Sequence, residues 1–432
     1  MAREFRGGVL RPFLAAGLLA AALVSAAAPS ASADWLDTER SVTGRRSVPQ
    51  WPELSGSLLV YSDHAQERTL FGAVTAFDVR VQDLATGTDR LLTPQHTATG
   101  SAAISGKRVV WSDAGDGTDP GIWYANLATG ERRRLSTHPG ENLAISGVRL
   151  CYEFHGRVWT YNLRTGTEAA LSPPTANAGD CDISGPLVVW QDDRNGHDLD
   201  VWATDVRTGS QRQVTSDPSD QSAPRVDGDL VVWQDDRNGL GNSDIYAFDL
   251  DTRTERAVSL AEGMQWAPDV SRGRVVWMDE RFGHENTEIF AYDLPSGIET
   301  RVTAADGWSG NPTISGDRIV YEDVRGTGHN LFSRTVTRPV LTLGAVAVED
   351  RSTLAGHLLG SNGVPVVGAT VQLQSSADGR SWLDAGAAVT SGDGSFVFPA
   401  QDGGGTPWLR TVFAGSREYA PAVSAPLQSG PR

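Results

Sequence analysis

The chain has 432 residues and a formal net charge of −16 at pH 7, from 53 acidic and 37 basic side chains. Its length allows two or three domains. An acidic surface repels the phosphates of nucleic acids and anionic lipid headgroups, so we expect neither as a partner. No later apolar run approaches the roughly 20 residues of a membrane helix, so we also expect no membrane insertion.

The first 33 residues have the features of a secretory signal peptide. A basic segment with three arginines precedes an apolar stretch from Phe13 to Ala28, and an Ala-Ser-Ala motif ends at Ala33. This pattern predicts cleavage after Ala33 and a secreted, extracellular product. The alternative is a retained membrane anchor.

The next three quarters of the chain consist of copies of one unit. The sequence Val-Val-Trp-Gln-Asp-Asp-Arg-Asn-Gly occurs at 188–196 and again at 231–239, and looser copies surround it. Each copy has an aromatic anchor after a pair of apolar residues, and six of seven copies have a glycine five residues before the anchor. The anchors are Tyr61, Trp111, Tyr152, Trp190, Trp233, Trp277 and Tyr321.

Each copy contains four short segments with β propensity, and no segment shows the period of an amphipathic helix. In the fourth copy these are Cys181–Ser184, Leu187–Gln191, Asp200–Asp205 and Gln211–Thr215. Repeated four-stranded units of about 43 residues are typical of β-propellers. We therefore predict an all-β chain with a seven-bladed propeller over residues 34–337. The alternative, a string of small sandwiches, leaves too few residues for each core.

The two ends of the repeat region complement each other. The seventh copy lacks a fourth strand after Leu331–Thr335, whereas Glu39–Thr43 precedes the first copy and resembles the fourth strand at Glu299–Thr303. We predict that this N-terminal strand completes the last blade and closes the ring, which would remove exposed sheet edges.

The two cysteines, Cys151 and Cys181, fit an oxidising compartment. We expect a disulfide between them, and the alternative is two separate buried thiols. Their separation is unlike that of a redox-active Cys-x-x-Cys motif.

Residues 338–432 have a different pattern of short strands separated by glycine-containing turns, which predicts an immunoglobulin-like β-sandwich. The predicted strands are Val340–Val348, Val366–Leu373, Ser381–Val389, Ser395–Phe398, Trp408–Phe413 and Ala422–Leu427.

The repeat resembles the TolB-like (WD40-like) family of β-propeller repeats. The matching elements are Pro-x-x-Ser-Gly at 52–56 and 312–316, the anchor motif Val-Val-Trp-x-Asp-x-Arg-x-Gly, and Asp-Ile-Tyr-Ala-Phe-Asp-Leu at 244–250. The units differ in having Ser-Gly where TolB-type units usually have Ser-Pro-Asp-Gly. The resemblance implies a propeller of the kind found in secreted and cell-surface proteins of bacteria and archaea. Peptidases of the prolyl oligopeptidase class also carry propellers, but this sequence has no Gly-x-Ser-x-Gly nucleophile motif.

An Asp-x-Arg pair follows the anchor in the last four copies. A guanidinium group at this position can bind an anionic ligand. Because the pair recurs in successive copies, a structural role in turns and in ion pairs between blades is the stronger interpretation. The pairs are Asp192/Arg194, Asp235/Arg237, Asp279/Arg281 and Asp323/Arg325.

Histidines and aromatic residues gather in the connections that should emerge on one face of a propeller, from strand two to three and from strand four to the next blade. Among the histidines are His197, His284 and His329. They could form a metal or general-base site, but no close ligand spacing is present, so we expect no metal and no cofactor.

A polar and aromatic set precedes the innermost strands: Trp51, Gln221, Gln265, Trp266 and Trp308. Indole rings stack on sugars or peptide groups, and glutamine both donates and accepts hydrogen bonds. We predict that this set, with the three histidines, forms a ligand-binding site near the mouth of the central channel. The alternative is that the tryptophans seal the channel.

We expect a monomeric, non-catalytic propeller that binds an extracellular glycan or protein through this face. The second hypothesis is a polysaccharide lyase or glycoside hydrolase that uses the same face. A convergent pair of carboxylates would favour the second hypothesis, and the sequence alone does not assemble one.

Overall fold

The computed structural model describes residues 39–43, 47–65, 77–93, 98–113, 120–196, 198–239, 241–295, 297–303, 307–325, 329–336, 339–348, 351–360, 363–398, 408–414 and 422–428. The predicted signal peptide and the prediction for His197 lie outside these residues. Within them the secondary structure consists of strands and turns, and no helix is long and apolar enough to cross a membrane.

The repeat region folds into four-stranded antiparallel sheets whose neighbouring strands follow one another in the chain. We number the sheets in chain order. Sheet 1 contains β2 (Ser47–Ser55), β3 (Leu58–Ala65), β4 (Asp78–Asp83) and β5 (Thr88–Leu91). Sheet 2 contains β6 (Ala98–Ser105), β7 (Arg108–Asp113), β8 (Gly121–Asn126) and β9 (Arg132–Ser136). Sheet 3 contains β10 (Glu141–Ser146), β11 (Arg149–Phe154), β12 (Arg157–Asn162) and β13 (Thr167–Ala170).

The next three sheets repeat the same arrangement. Sheet 4 contains β14 (Ala178–Ser184), β15 (Leu187–Asp192), β16 (Asp200–Asp205) and β17 (Ser210–Gln213). Sheet 5 contains β18 (Gln221–Asp227), β19 (Leu230–Asp235), β20 (Asp244–Asp249) and β21 (Thr254–Ser259). Sheet 6 contains β22 (Gln265–Ser271), β23 (Arg274–Asp279), β24 (Glu288–Asp293) and β25 (Ile298–Arg301).

Sheet 7 takes its fourth strand from the beginning of the described chain. Its strands are β26 (Ser309–Ser315), β27 (Arg318–Asp323), β28 (Asn330–Thr335) and β1 (Arg40–Ser41). In the β1–β28 pair, Arg40 lies opposite Ser333 and Ser41 opposite Phe332. The N–H of Val42 extends this pairing to the Leu331 carbonyl at 2.8 Å.

A hydrogen bond links each sheet to the next at the turn between the first two strands. The N–H of the turn residue of one sheet donates to the side chain that ends the first strand of the preceding sheet. The pairs, at 2.6 to 3.0 Å, are Gly106–Ser55, Gly147–Ser105, Gly185–Ser146, Gly228–Ser184, Arg272–Asp227, Gly316–Ser271 and Gly56–Ser315. The last pair joins sheet 7 to sheet 1.

The aromatic anchors are buried between adjacent sheets, as the repeat predicts. Trp111, Trp190, Trp233 and Trp277 have no solvent exposure. One core, for example, combines Val232 and Ile245 of sheet 5 with Val275 and Trp277 of sheet 6. Both faces of a second strand are therefore covered, which explains why its residues are apolar in succession rather than in alternation.

Cys151 and Cys181 form a disulfide, with Cα atoms 6.3 Å apart. Cys151 lies in the second strand of sheet 3 and Cys181 in the first strand of sheet 4. The bond therefore joins two neighbouring sheets, in addition to the hydrogen bond from the Gly185 N–H to Ser146 Oγ at their turns.

The C-terminal region forms two sheets that share one apolar core, which includes Leu354, Leu373, Phe398 and Phe413. The first contains β29 (Val340–Leu341), β30 (Gly344–Val348), β31 (Arg351–Leu359) and β34 (Ser395–Phe398). The second contains β32 (Thr370–Ser376), β33 (Leu383–Val389), β35 (Trp408–Phe413), β36 (Ala422–Val423) and β37 (Leu427–Gln428).

The sequence did not predict β31, which pairs with β29, β30 and β34. Its inward position between Leu354 and Leu358 is occupied by Gly356, which interrupts the apolar alternation that reveals a strand. Glycine is needed there because a Cβ would lie 2.0 Å from the Thr342 carbonyl oxygen and 2.5 Å from the Phe396 ring.

Candidate functional site

The Asp-x-Arg pairs are structural clamps within single sheets. In sheet 5 the buried Asp235 accepts hydrogen bonds from Trp233 Nε1 at 2.8 Å and from Arg237 Nε at 2.8 Å. Arg237 also donates to Glu255 in the fourth strand at 2.8 Å and lies 4.0 Å from the Tyr246 ring centroid. The expected ion pairs between blades are therefore wrong for this pair, because Asp235, Arg237 and Glu255 lie in one sheet.

The other three copies form the same Asp–Arg contact, and in sheets 4 and 6 the anchor tryptophan also donates to the aspartate. The fourth-strand acceptors are Gln211 for Arg194, Glu299 for Arg281 and Glu39 for Arg325. Each guanidinium bonds to its own sheet, and Arg281 also contacts Ser259 of sheet 5, which supports the structural interpretation of these pairs.

The candidate site lies at one end of the sheets, where the residues at equivalent positions differ from sheet to sheet. In each sheet the connection from strand two to three and the connection leading into strand one lie at the same end, which we call the loop face. Near this end every first strand contains a register shift against the second strand. Five residues before the turn residue, six sheets have a left-handed residue: Trp51, Asn142, Asp180, Ala223, Ala267 and Asn311.

Trp51 is the unusual member of this set. Its φ of 49° lies in the region that Asn and Asp tolerate and that bulky side chains avoid. Its side chain is 45% exposed, and its ring meets the Phe77 ring edge-on at 5.1 Å. A bulky residue held in a strained conformation and displayed to solvent is a candidate for function.

The buried carboxylate of Glu322 in sheet 7 holds Trp51 in place. Glu322 Oε1 accepts the Trp51 backbone N–H at 2.7 Å and Asn311 Nδ2 at 2.9 Å. Its Oε2 contacts His329 Nε2 at 2.8 Å, and the His329 ring lies edge-on to Trp308 at 6.2 Å. One carboxylate thus joins Trp51 and His329, and Trp308 is adjacent.

Trp266 and Trp308 are half-buried and pack on the same core as Met278 and Tyr321. The six-membered ring of Trp308 covers Gly310, where a Cβ would lie 2.1 Å from the indole. These two side chains therefore pack into the space between sheets 6 and 7, and Trp308 also borders His329.

Gln221 and Gln265 do not fit the predicted ligand contacts. Both side chains are fully buried. Gln221 Nε2 donates to the Ser219 carbonyl at 2.5 Å, and Gln265 Nε2 donates to the Gly263 carbonyl at 3.0 Å. They fold back on the loops that precede them, which the sequence pattern did not reveal.

His284 is separate from the tryptophan cluster. Its side chain is 88% exposed and its Nδ1 is bonded to Glu280 in the same loop. Across the described part of the chain, no group of three or more His, Cys, Asp or Glu side chains is placed to hold a metal ion.

The first strands enclose a central cavity of about 520 Å³ that Trp51 also lines. Its wall carries five carboxylates and one guanidinium. These are Glu53, Glu141, Asp180, Asp182, Asp269 and Arg225. The sequence contains a signal for four of these six charged residues: the residue three before the turn residue is charged in four copies, as Glu53, Asp182, Arg225 and Asp269, and is Ala or Thr in the others. We call the six residues the charged ring.

Two carboxylates of the ring are fixed by backbone groups of two sheets each. Asp182 accepts from the N–H groups of Ile183 at 2.8 Å and Val226 at 2.7 Å. Asp269 accepts in the same way from Val270 and Ile314, both at 2.7 Å. These aspartates stabilise the junctions between sheets and hold negative charge at the channel wall.

The side chain of Glu53 is exposed to the cavity that the first strands line, and the surrounding strands shield it from bulk solvent. Burial first, and then the charge of Asp269, raises the pKa of Glu53 to about 8, with Arg225 acting in the opposite direction and Asp182 in the same. Burial also raises the pKa of Asp269, to about 6.

The raised pKa of Glu53 predicts a pH-dependent effect of Glu53→Gln. Between about pH 4.5 and 8 the unfolded chain loses the Glu53 proton while the folded chain keeps it, so wild-type stability falls as pH rises. We expect the stability of Glu53→Gln relative to wild type to increase across this window and to level off above it. Urea denaturation at pH 5, 7 and 9 measures the trend. A pH-independent difference would contradict this assignment.

Comparison with known proteins supports the architecture. The β-propeller domain of the Trilobed protease from Pyrococcus furiosus superposes with a TM-score of 0.53 at 13% identity, covering 68% of this chain and 94% of that domain. That domain is described as having an open velcro topology. The acylaminoacyl peptidase from Pyrococcus horikoshii gives 0.52 at 12% identity, over 74% of this chain and 58% of that one.

TolB from Acinetobacter baumannii aligns over 86% of this chain and 83% of its own, at 14% identity and a TM-score of only 0.38. No protein-family model matches the sequence, and no curated protein is significantly similar to it. The chain therefore contains a β-propeller fold, and these similarities show the fold alone.

Proposed function

We propose that the repeat region is a TolB-like, seven-bladed ring closed by the N-terminal strand. The hydrogen bonds between successive turns support this, because they lead from each sheet to the next and from sheet 7 back to sheet 1. The place of Glu39 in the clamp of sheet 7 gives further support, since Glu255 and Glu299 occupy that place in other sheets. Such a ring differs from an open velcro topology.

The chain is, in this proposal, a secreted monomer with a C-terminal immunoglobulin-like module. The signal-peptide pattern of the first 33 residues and the disulfide support an extracellular location. The two C-terminal sheets with one shared core support the sandwich module.

Its proposed activity is non-catalytic binding of an extracellular glycan at the channel mouth. The observation that carries this proposal is Trp51, which is exposed and strained where five other sheets have small or Asx residues. An indole face beside hydrogen-bonding groups is typical of sugar-binding sites. A protein partner is the other outcome of the binding test.

The charge of the channel restricts the class of glycan. Even with Glu53 protonated, the acidic side chains in the cavity wall outnumber the single guanidinium of Arg225, so a uronic-acid polymer would be repelled. Neutral and amino sugars fit this wall better, because an ammonium group is attracted to the carboxylates.

The test compares wild type with Trp51→Asn on a glycan array and by calorimetry with N-acetylglucosamine, glucosamine and galacturonic acid trisaccharides. Asparagine tolerates a left-handed conformation, so the variant should fold with unchanged or higher thermal stability. We expect sugar binding by the wild type to be lost in the variant. Equal binding by both proteins would remove the proposed site, and capture of a protein in place of a sugar would change the ligand class.

One observation favours the enzymatic alternative: Glu53, with its raised pKa, shares a cavity with ionisable aspartates. A protonated carboxyl beside a carboxylate is the arrangement of many glycosidases. Both oxygens of Asp182 and Asp269 already accept backbone hydrogen bonds, which favours binding over catalysis. Turnover of oligosaccharides by wild type and not by Glu53→Gln would establish the alternative.

A further inference from the structure

The junction between sheets 7 and 1 contains a histidine contact, from His329 to Glu322, that has no counterpart in the other junctions within the described part of the chain. Gln191 of sheet 4 occupies the position that corresponds to Glu322 of sheet 7, and it accepts the N–H of Ala223 at 2.7 Å. Gln191 and Glu322 therefore have the same structural role, which is to accept the N–H of the left-handed residue of the next sheet. The contact of Glu322 with His329 is additional and is not needed for that role.

The hydrogen-bond pattern around Glu322 fixes the tautomer of His329. The carboxylate accepts the Trp51 N–H and Asn311 Nδ2 on one oxygen, so it acts as an acceptor toward His329 as well. In a neutral imidazole ring that faces this carboxylate, Nε2 of His329 carries the proton and donates to Oε2. The other ring nitrogen, Nδ1, is left as an acceptor and has no hydrogen-bond partner within the described part of the chain.

We propose that Glu322 is a positioning residue for the ligand site. It holds Trp51 in its exposed, left-handed conformation and sets His329 Nδ1 as the acceptor for a sugar hydroxyl. This inference rests on the proposed function. Glu322 itself is 1% exposed and does not contact ligand, whereas His329 is 18% exposed at its side chain. The aromatic face and the acceptor are thus set by the two oxygens of one buried group.

The geometry makes Glu322→Gln a specific test of the His329 tautomer. Its amide oxygen can still accept the Trp51 N–H, as Gln191 does for Ala223, but its amide nitrogen must donate to His329 Nε2. His329 would then become the opposite tautomer, with the proton on Nδ1. We expect binding of the N-acetylglucosamine or glucosamine trisaccharide to weaken roughly tenfold in Glu322→Gln, as for loss of one hydrogen bond.

The Glu322→Ala variant should lose both the hydrogen bond that holds Trp51 and the contact that orients His329. We expect its binding to weaken by roughly a hundredfold or more. Nitrogen-15 NMR of the imidazole rings gives a readout independent of ligand. With His329 assigned by comparison with His329→Gln, the wild type should show protonated Nε2 and Glu322→Gln should show protonated Nδ1.

The outcomes separate this inference from the proposed function. Unchanged binding in Trp51→Asn would contradict the proposed function, whatever Glu322 does. Loss of binding in Trp51→Asn with wild-type affinity in Glu322→Gln would overturn the inference alone. A protonated Nδ1 in the wild-type spectrum would also overturn it, even where no trisaccharide binds.

Discussion

Replacing Arg237 with alanine is expected to lower the free energy of unfolding by about 3 kcal/mol, as for removal of one partner from a buried ion pair. Asp235 has no solvent exposure, and Arg237 is its charged partner at 2.7 Å. The variant also loses the stacking of the guanidinium on Tyr246 and its bond to Glu255. Urea denaturation at neutral pH measures the change.

Arg207 provides the matched control, because it forms the same kind of pair at the surface. Arg207 lies 3.2 Å from Asp205, two residues earlier, and its side chain is 70% exposed. Exposed pairs contribute little, so Arg207→Ala should change stability by no more than about 0.5 kcal/mol. Equal effects of the two substitutions would show that the clamp contributes nothing beyond a surface ion pair.

Removing the N-terminal strand is expected to have the largest effect on the ring. A chain that starts at Gly44 should be less stable than a chain that starts at Asp34 by roughly 5 kcal/mol. It loses the ion pair of Glu39 with Arg325, the bond of Thr43 Oγ1 with the Leu331 N–H and the β1–β28 pairing. Thermal and urea denaturation of both chains measure the difference. Equal stability would refute closure by this strand.

The Glu39→Gln variant separates the contribution of the Glu39 charge from that of the N-terminal strand. Burial opposes ionisation of Glu39, but the hydrogen bonds from Arg325 and Tyr321 outweigh it and lower the pKa. The stabilising contribution of this carboxylate is therefore present above about pH 4.5 and is lost as pH falls through its lowered folded-state pKa. The difference between wild type and Glu39→Gln should shrink in acid, whereas the truncated chain should remain less stable at low pH.

The repeat pattern predicted the all-β architecture and the burial of the anchors. Val-Val-Trp at 188–190 repeats in other copies because each second strand is covered on both faces, so the same local demand recurs. The pattern also predicted the partner of β28, since Glu39–Thr43 resembles the fourth strands. Strand β31 escaped prediction because Gly356 stands at a position where only backbone and a ring edge fit.

The candidate site depended on contacts that no single copy contains. Gln221 and Trp51 have similar positions in the sequence pattern, yet Gln221 is buried against its own loop and Trp51 is displayed. Glu322 reaches Trp51 across 271 positions of the chain, and the charged residues of the cavity wall come from the first strands of several sheets. The sequence by itself determined which residues form strands and pack between sheets, because those demands are local and repeated. Tertiary structure decided which polar groups meet at the channel, because electrostatic and hydrogen-bond partners come from different copies.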